Sequence, residues 1–126
     1  MSGRLKSIKT VRDLTVYRLA FELAMEIFEL TKGFPDEEKY SLTTQIRKSS
    51  RSVSANIREG FAKRQYPQVF IRHLNDALGS SDETREWLDY SLACKYIVSE
   101  DHDRLDSRYD EVNAMIYSLK GKWEHF

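Results

Sequence analysis

The sequence predicts an all-α fold, an up-down-up-down antiparallel four-helix bundle. Apolar residues recur at steps of three and four along four separate segments, the spacing of one helix face. Glycine and proline number only five and two in 126 residues, and both prolines fall where a helix would begin. No alternating β-branched run and no Asn-Gly or Asp-Gly turn signals a strand or hairpin.

The first helix is expected from about Asp13 to Lys32. Asp13 serves as its N-cap, and Val16, Tyr17, Ala20, Leu23, Ala24, Ile27 and Phe28 form one broad stripe. Gly33 stops it, and Phe34-Pro35-Asp36 turns the chain. The second is expected from Asp36 to Ala62, with Asp36, Glu37 and Glu38 in a first turn whose dipole favours acids. The third starts at Pro67, a favoured first helical position, and runs to about Val98, a rod of roughly 48 Å at 1.5 Å per residue. The fourth runs from about Asp101 to Trp123 on the seam Leu105, Tyr109, Val112, Ile116, Leu119 and Trp123. Connections of two to five residues make neighbouring helices antiparallel. Residues 13–126 thus form one bundle domain, preceded by a mobile basic arm over residues 1–12.

A chain this long buries an adequate core without metals or disulfides. The lone Cys94 suits a reducing compartment. No apolar run is long enough to span a membrane, and no long apolar stretch follows the basic N-terminus to make a secretory signal. A cytoplasmic protein is expected.

The formal net charge of zero hides a polarised chain. Residues 43–72 carry seven bases (Arg47, Lys48, Arg51, Arg58, Lys63, Arg64, Arg72) against Glu59 alone, a net of +6. Residues 73–111 carry four bases and eleven acids, a net of −7. Such asymmetry serves an anionic partner, or self-assembly between unlike faces. Arg47, Arg51 and Arg58 recur at helical spacing, flanked by Lys48, Lys63 and Arg64, and the arginine fork matches phosphate oxygens. Tyr66 and Phe61 lie nearby as candidates for base stacking. Trp87, Tyr90 and Tyr96 exceed what one narrow seam needs, and belong to the core or to a subunit contact.

Catalytic and metal signatures are missing. No Glu-x-x-His pair supports a di-metal bundle site, and His73, His102 and His125 are scattered away from any Cys/His cluster. Phosphate loops, nucleophile elbows and dinucleotide fingerprints are absent. Helical ribonucleases of the HEPN type place His four to six residues after Arg, whereas eight residues separate Arg64 from His73. No enzyme activity, cofactor or metal is expected.

The stretch Gln45 to Gly60 places small and polar residues on an apolar face: Leu42, Ile46, Ser49, Val53, Asn56 and Gly60 share one seam. Mid-helix glycine costs about 1 kcal/mol against alanine. Close helix–helix approach with a specific polar contact is the expected compensation. Asn56 and Glu59, three apart, either bond a neighbouring helix near Ser80, Ser81 or Glu83 or form an acid/base pair.

These residues carry a resemblance. Phe34-Pro35 with Glu38 and Leu42, Gln45-Ile46-Arg47-Lys48, the run Ser52 to Gly60, and then Arg64, Phe70, Leu74, Gly79-Ser80 and Glu83 resemble the four-helix-bundle family of proteins encoded in intervening sequences of large-subunit rRNA genes. That family includes relatives of the accessory variability determinant of diversity-generating retroelements. The resemblance spans about residues 13–120 and departs at Ser54 (usually Pro), Arg58 (usually small), Val69 (usually Glu) and Thr84 (usually apolar), with Tyr66 where a serine cap stands. It implies a four-helix bundle assembled as a homopentameric barrel without enzyme activity. In the retroelement relatives it implies a basic barrel binding the reverse transcriptase and RNA. Asn56, Glu59, Gly60, Gly79, Ser80 and Glu83 are its structural motif residues. The expected function is a non-catalytic, oligomeric accessory protein that binds nucleic acid, RNA or alternatively DNA, as partner of a reverse transcriptase. The alternative is an interaction bundle whose charged faces serve only self-assembly.

Overall fold

The computed structural model describes residues 7–124, with side chains through Trp123. A short 3-10 turn, Val11–Asp13, precedes four helices: α1 Thr15–Thr31, α2 Leu42–Ala62, α3 Pro67–Ala93 and α4 Ser99–Glu124. Each helix packs beside the next and α4 returns to α1, with no close backbone approach across either diagonal among the described residues, so an antiparallel up-down-up-down bundle closes on itself. The α2–α3 contact is the most extensive and α1–α4 the least. Among the described residues no strand occurs, and no helix is long and apolar enough to cross a membrane.

The apolar stripes make the core. Leu23, Ile27, Ile46, Val53, Ile57, Phe70, Leu74, Leu88, Leu105, Tyr109, Val112 and Ile116 are fully or almost fully buried. Phe70 meets Trp123 edge-on at 4.8 Å and Phe61 at 6.2 Å, which gathers α2, α3 and α4 at one end. At the other end the two loops clasp. Tyr96 donates a 2.8 Å hydrogen bond to Glu38 and packs its ring on Phe34. That bond pushes the Tyr96 phenol up to about 12, while the Ser41 hydroxyl, Tyr96 and the Leu42 amide hold Glu38 below the ordinary carboxylate range.

Three boundaries differ from expectation. α2 begins at Leu42: Asp36–Glu38 forms a 3-10 turn, and the Glu38 carboxylate reaches forward to accept from Ser41 Oγ (2.6 Å) and the Leu42 amide (3.3 Å). α3 stops at Ala93, about 40 Å long, because Lys95 adopts a left-handed φ of 65° and Ile97 turns into the core. α1 begins at Thr15, since Asp13 caps the preceding turn by accepting from the Lys9 and Thr10 amides. The arm expected over residues 1–12 is tethered in its second half, where Val11 is buried and Ile8 packs against the core. Residues 1–6 of that arm lie outside the described residues.

Candidate nucleic-acid interface

The outward face of α2 carries Thr44, Lys48, Arg51, Ala55, Arg58 and Ala62, all exposed and spaced four, three, four, three, four. Arg47 turns inward from this row to α1. Its Nε donates to Thr31 Oγ1 at 2.8 Å, its Nη2 to the Phe28 carbonyl at 3.4 Å, and its guanidinium lies 4.7 Å from the Phe28 ring centre. A cation is well placed there, against the last carbonyls of α1. Arg51 lies 5.8 Å from the same ring, and Arg58 donates to Tyr17 Oη at 3.3 Å. The three arginines therefore line the α1–α2 groove, as their spacing predicts. Lys63 and Arg64 follow the end of α2: Lys63 pairs with Glu59 at 3.5 Å, and Arg64 lies over Phe61 at 4.0 Å and donates to its carbonyl.

The facing side of α1 adds residues that the sequence reading missed. Phe21 (52% exposed), Met25 (49% exposed) and half-buried Phe28 recur at steps of four and three along the groove. Phe21 leans on Tyr17 at 6.3 Å between ring centres. Arg12 and Arg18 flank it, lining with Tyr17, Phe21 and Glu22 a cleft of about 230 Å³. Arg18 donates to the Arg12 carbonyl and, at 3.3 Å, to Thr15 Oγ1. The legible signal was an aromatic three residues after an arginine, just off the apolar stripe. Of the aromatics expected to stack on bases, Tyr66 is exposed, but Phe61 is buried beneath Arg64 and against Phe70, closed to a base.

Charge pairing separates the two halves of the bundle. Arg85 sits among Asp106 (2.9 Å), Asp110 (3.5 Å) and Asp82 (3.6 Å), and hydrogen bonding to Asp106 raises its pKa. Arg104 pairs with Glu26 at 2.6 Å and Arg108 with Glu111 at 2.6 Å. His102 lies between Asp103 (2.9 Å) and Asp89 (2.7 Å), which raise its pKa. On the α1–α2 face, by contrast, Arg12, Arg18, Lys48, Arg51 and Arg58 have no carboxylate within 4 Å among the described residues. These five cations are thus free of direct ion pairs, with Glu22 bordering the cleft of Arg12 and Arg18 and Asp13 within the electrostatic reach of Arg18.

The structural motif residues assemble mostly at the α2–α3 seam. Ser80 Oγ donates to Ser52 Oγ at 2.9 Å, and Thr84 Oγ1 lies 2.9 Å from both Ser49 Oγ and the Ser80 carbonyl. Asn56 Nδ2 donates to the Ser52 carbonyl and hydroxyl at 3.0 Å, which leaves Asn56 Oδ1 facing His73 Nδ1 at 3.3 Å. The interhelical partner of Asn56 is therefore His73, with Ser80 reached only through Ser52. Glu59 faces the other side of the His73 ring, its Oε2 3.9 Å from Nε2. Gly60 is the contact point itself: a β-carbon there would lie 2.6 Å from His73 Cβ. Two motif residues play no part in the seam. Gly79 is exposed, with nothing within 4 Å of a β-carbon built on it, and Glu83 accepts from Trp87 Nε1 on its own helix.

Fold and face together define a small helical-bundle protein with one arginine-rich, partly apolar side. Among the described residues no group of three His, Cys, Asp or Glu side chains is placed to hold a metal. The chain belongs to the 23S rRNA-intervening sequence protein family, whose model matches residues 12–118. It is also similar to a solved structure from Bacteroides thetaiotaomicron, described as a protein with unknown function from the S23 ribosomal protein family. The two are 32% identical over 84% of this chain and 98% of that one, with a TM-score of 0.76. No curated protein matches.

Proposed function

We propose that this protein is a non-catalytic RNA-binding accessory protein whose α1–α2 face contacts the RNA backbone. The observation that carries this reading is the set of exposed cations without carboxylate partners gathered on one face, Arg12, Arg18, Lys48, Arg51 and Arg58, whereas Arg85, Arg104 and Arg108 of α3 and α4 are ion-paired. Guanidinium groups match phosphate oxygens in a fork and need no base sequence to do so. Assembly into a homopentameric barrel would multiply a weak patch by avidity. Partnership with a reverse transcriptase is the finer form of the same proposal, supported by the family resemblance. Six acids of α3 and α4 are held by Arg85, His102 and Arg108, so charge-driven self-assembly would have to draw on the remaining ones.

The test is Arg51→Glu with Arg58→Glu, measured by RNA-binding anisotropy between 50 and 200 mM salt alongside light-scattering mass. Arg47 is left in place because its bonds hold α1 to α2. The double variant should keep wild-type helicity and mass, bind at least about tenfold more weakly, and lose about two from the salt slope. Unchanged affinity, or an assembly that ignores RNA and dissociates in salt, refutes the proposal in favour of charged faces serving self-assembly.

A further inference from the structure

We infer that the α1–α2 face selects single-stranded RNA, with an unpaired base stacked on Phe21 while Arg18, Arg51 and Arg58 hold the flanking phosphates. This rests on the reading of that face as an RNA-binding surface. Phe21 is the half-exposed aromatic of the groove, 52% accessible where a buried stripe residue would be closed. Its neighbours give it a fixed setting. Tyr17 supports one side at 6.3 Å, and Tyr17 is itself buried and accepts a hydrogen bond from Arg58. Arg18 is anchored by the Arg12 carbonyl and Thr15. The cleft of about 230 Å³ beside the ring is lined by Arg12 and Arg18, with Glu22 as its one acid.

A duplex keeps its bases stacked and offers this face only phosphates and sugar hydroxyls. An exposed ring beside arginines adds affinity only for a strand whose bases are free to leave the stack. Met25, 49% exposed one turn on, extends the apolar footing beneath a second base. The ring has another conceivable occupant, the surface of a second copy. Arg12 and Arg18 beside the ring, with Arg58 on its Tyr17 support, favour a polyanion over that occupant, and the mass measurement below separates the two.

The experiment compares binding of a fluorescent single-stranded oligouridine and of an RNA duplex of equal length by the full chain, its Phe21→Ala variant and its Phe21→Trp variant. Light-scattering mass is recorded for each. The expected result is that Phe21→Ala weakens single-strand binding roughly five- to one-hundred-fold. Duplex binding, salt slope and mass should stay unchanged, and Phe21→Trp should restore single-strand affinity. If wild type binds both RNAs equally and Phe21→Ala changes neither, the stacking inference is overturned while the basic-face reading stands. If wild type binds neither RNA, both fall. A Phe21→Ala variant that loses subunit mass at wild-type helicity identifies the ring as a contact between copies and also overturns the inference.

Discussion

Replacing Gly60 with alanine is expected to destabilise the bundle, whereas the same change at Gly79 is expected to stabilise it. A β-carbon at Gly60 would lie 2.6 Å from His73 Cβ and 2.9 Å from Phe70 Cδ1. Carbon atoms settle at about 3.5–4.0 Å, so α2 and α3 must part locally by roughly 1 Å. Neither neighbour yields easily. His73 Cβ is fixed to the α3 backbone, and the Phe70 ring is fully buried between Phe61 and Trp123. Overpacking of this kind costs about 1–3 kcal/mol, and the better helix propensity of alanine offsets about 1 kcal/mol of it. The net effect is a loss of up to about 2 kcal/mol. At Gly79 nothing lies within 4 Å, so the propensity gain of about 1 kcal/mol is realised in full.

Urea unfolding of both variants beside wild type reads these terms directly, with the slope checked for constancy. Opposite shifts in the midpoint are expected. If Gly60→Ala raises the midpoint as far as Gly79→Ala does, the close approach does not limit packing and the argument fails. If Gly79→Ala lowers it, some contact that a single chain does not contain requires the glycine.

Two further substitutions probe the helix ends. Lys95 holds a left-handed φ of 65°, so Lys95→Gly should raise stability by about 0.5–1 kcal/mol and Lys95→Val should lower it; equal urea midpoints for the two would refute the strain. His102 has its pKa raised above 6.5 by Asp103 and Asp89, so its protonated form is favoured by folding. That contribution is fully present below the unfolded value and is lost as pH rises through the elevated folded value. Wild type should therefore lose stability relative to His102→Gln as pH rises from 6.5 through the elevated folded value, and parallel pH profiles for the two proteins would rule the linkage out.

Periodicity made the interior readable. Leu105, Tyr109, Val112, Ile116, Leu119 and Trp123 are all buried, as a single seam on α4 requires. Helix ends were less legible because their caps come from unusual sources. Glu38 caps α2 from a turn away, and a lysine takes the left-handed position that a glycine normally marks. The glycines show the same limit from another side. Gly60 and Gly79 look alike as mid-helix exceptions, yet only one touches a partner helix, because which face a residue turns to depends on how the neighbouring helix is set.

The basic face divides in the same way. The spacing of Arg47, Arg51 and Arg58 places them on one side of α2, but availability is decided by α1. Phe28 and Thr31 engage Arg47 and leave Arg51 without a polar partner, and Tyr17 anchors Arg58. Arg12, Arg18 and Phe21 sit beyond the reach of any pattern within α2, since they join the face only when α1 packs antiparallel beside it. A cluster drawn from two helices is visible as periodicity on each and as a surface on neither. Its chemistry, guanidinium groups without direct ion pairs beside an open ring that Glu22 borders, is a property of the packed pair.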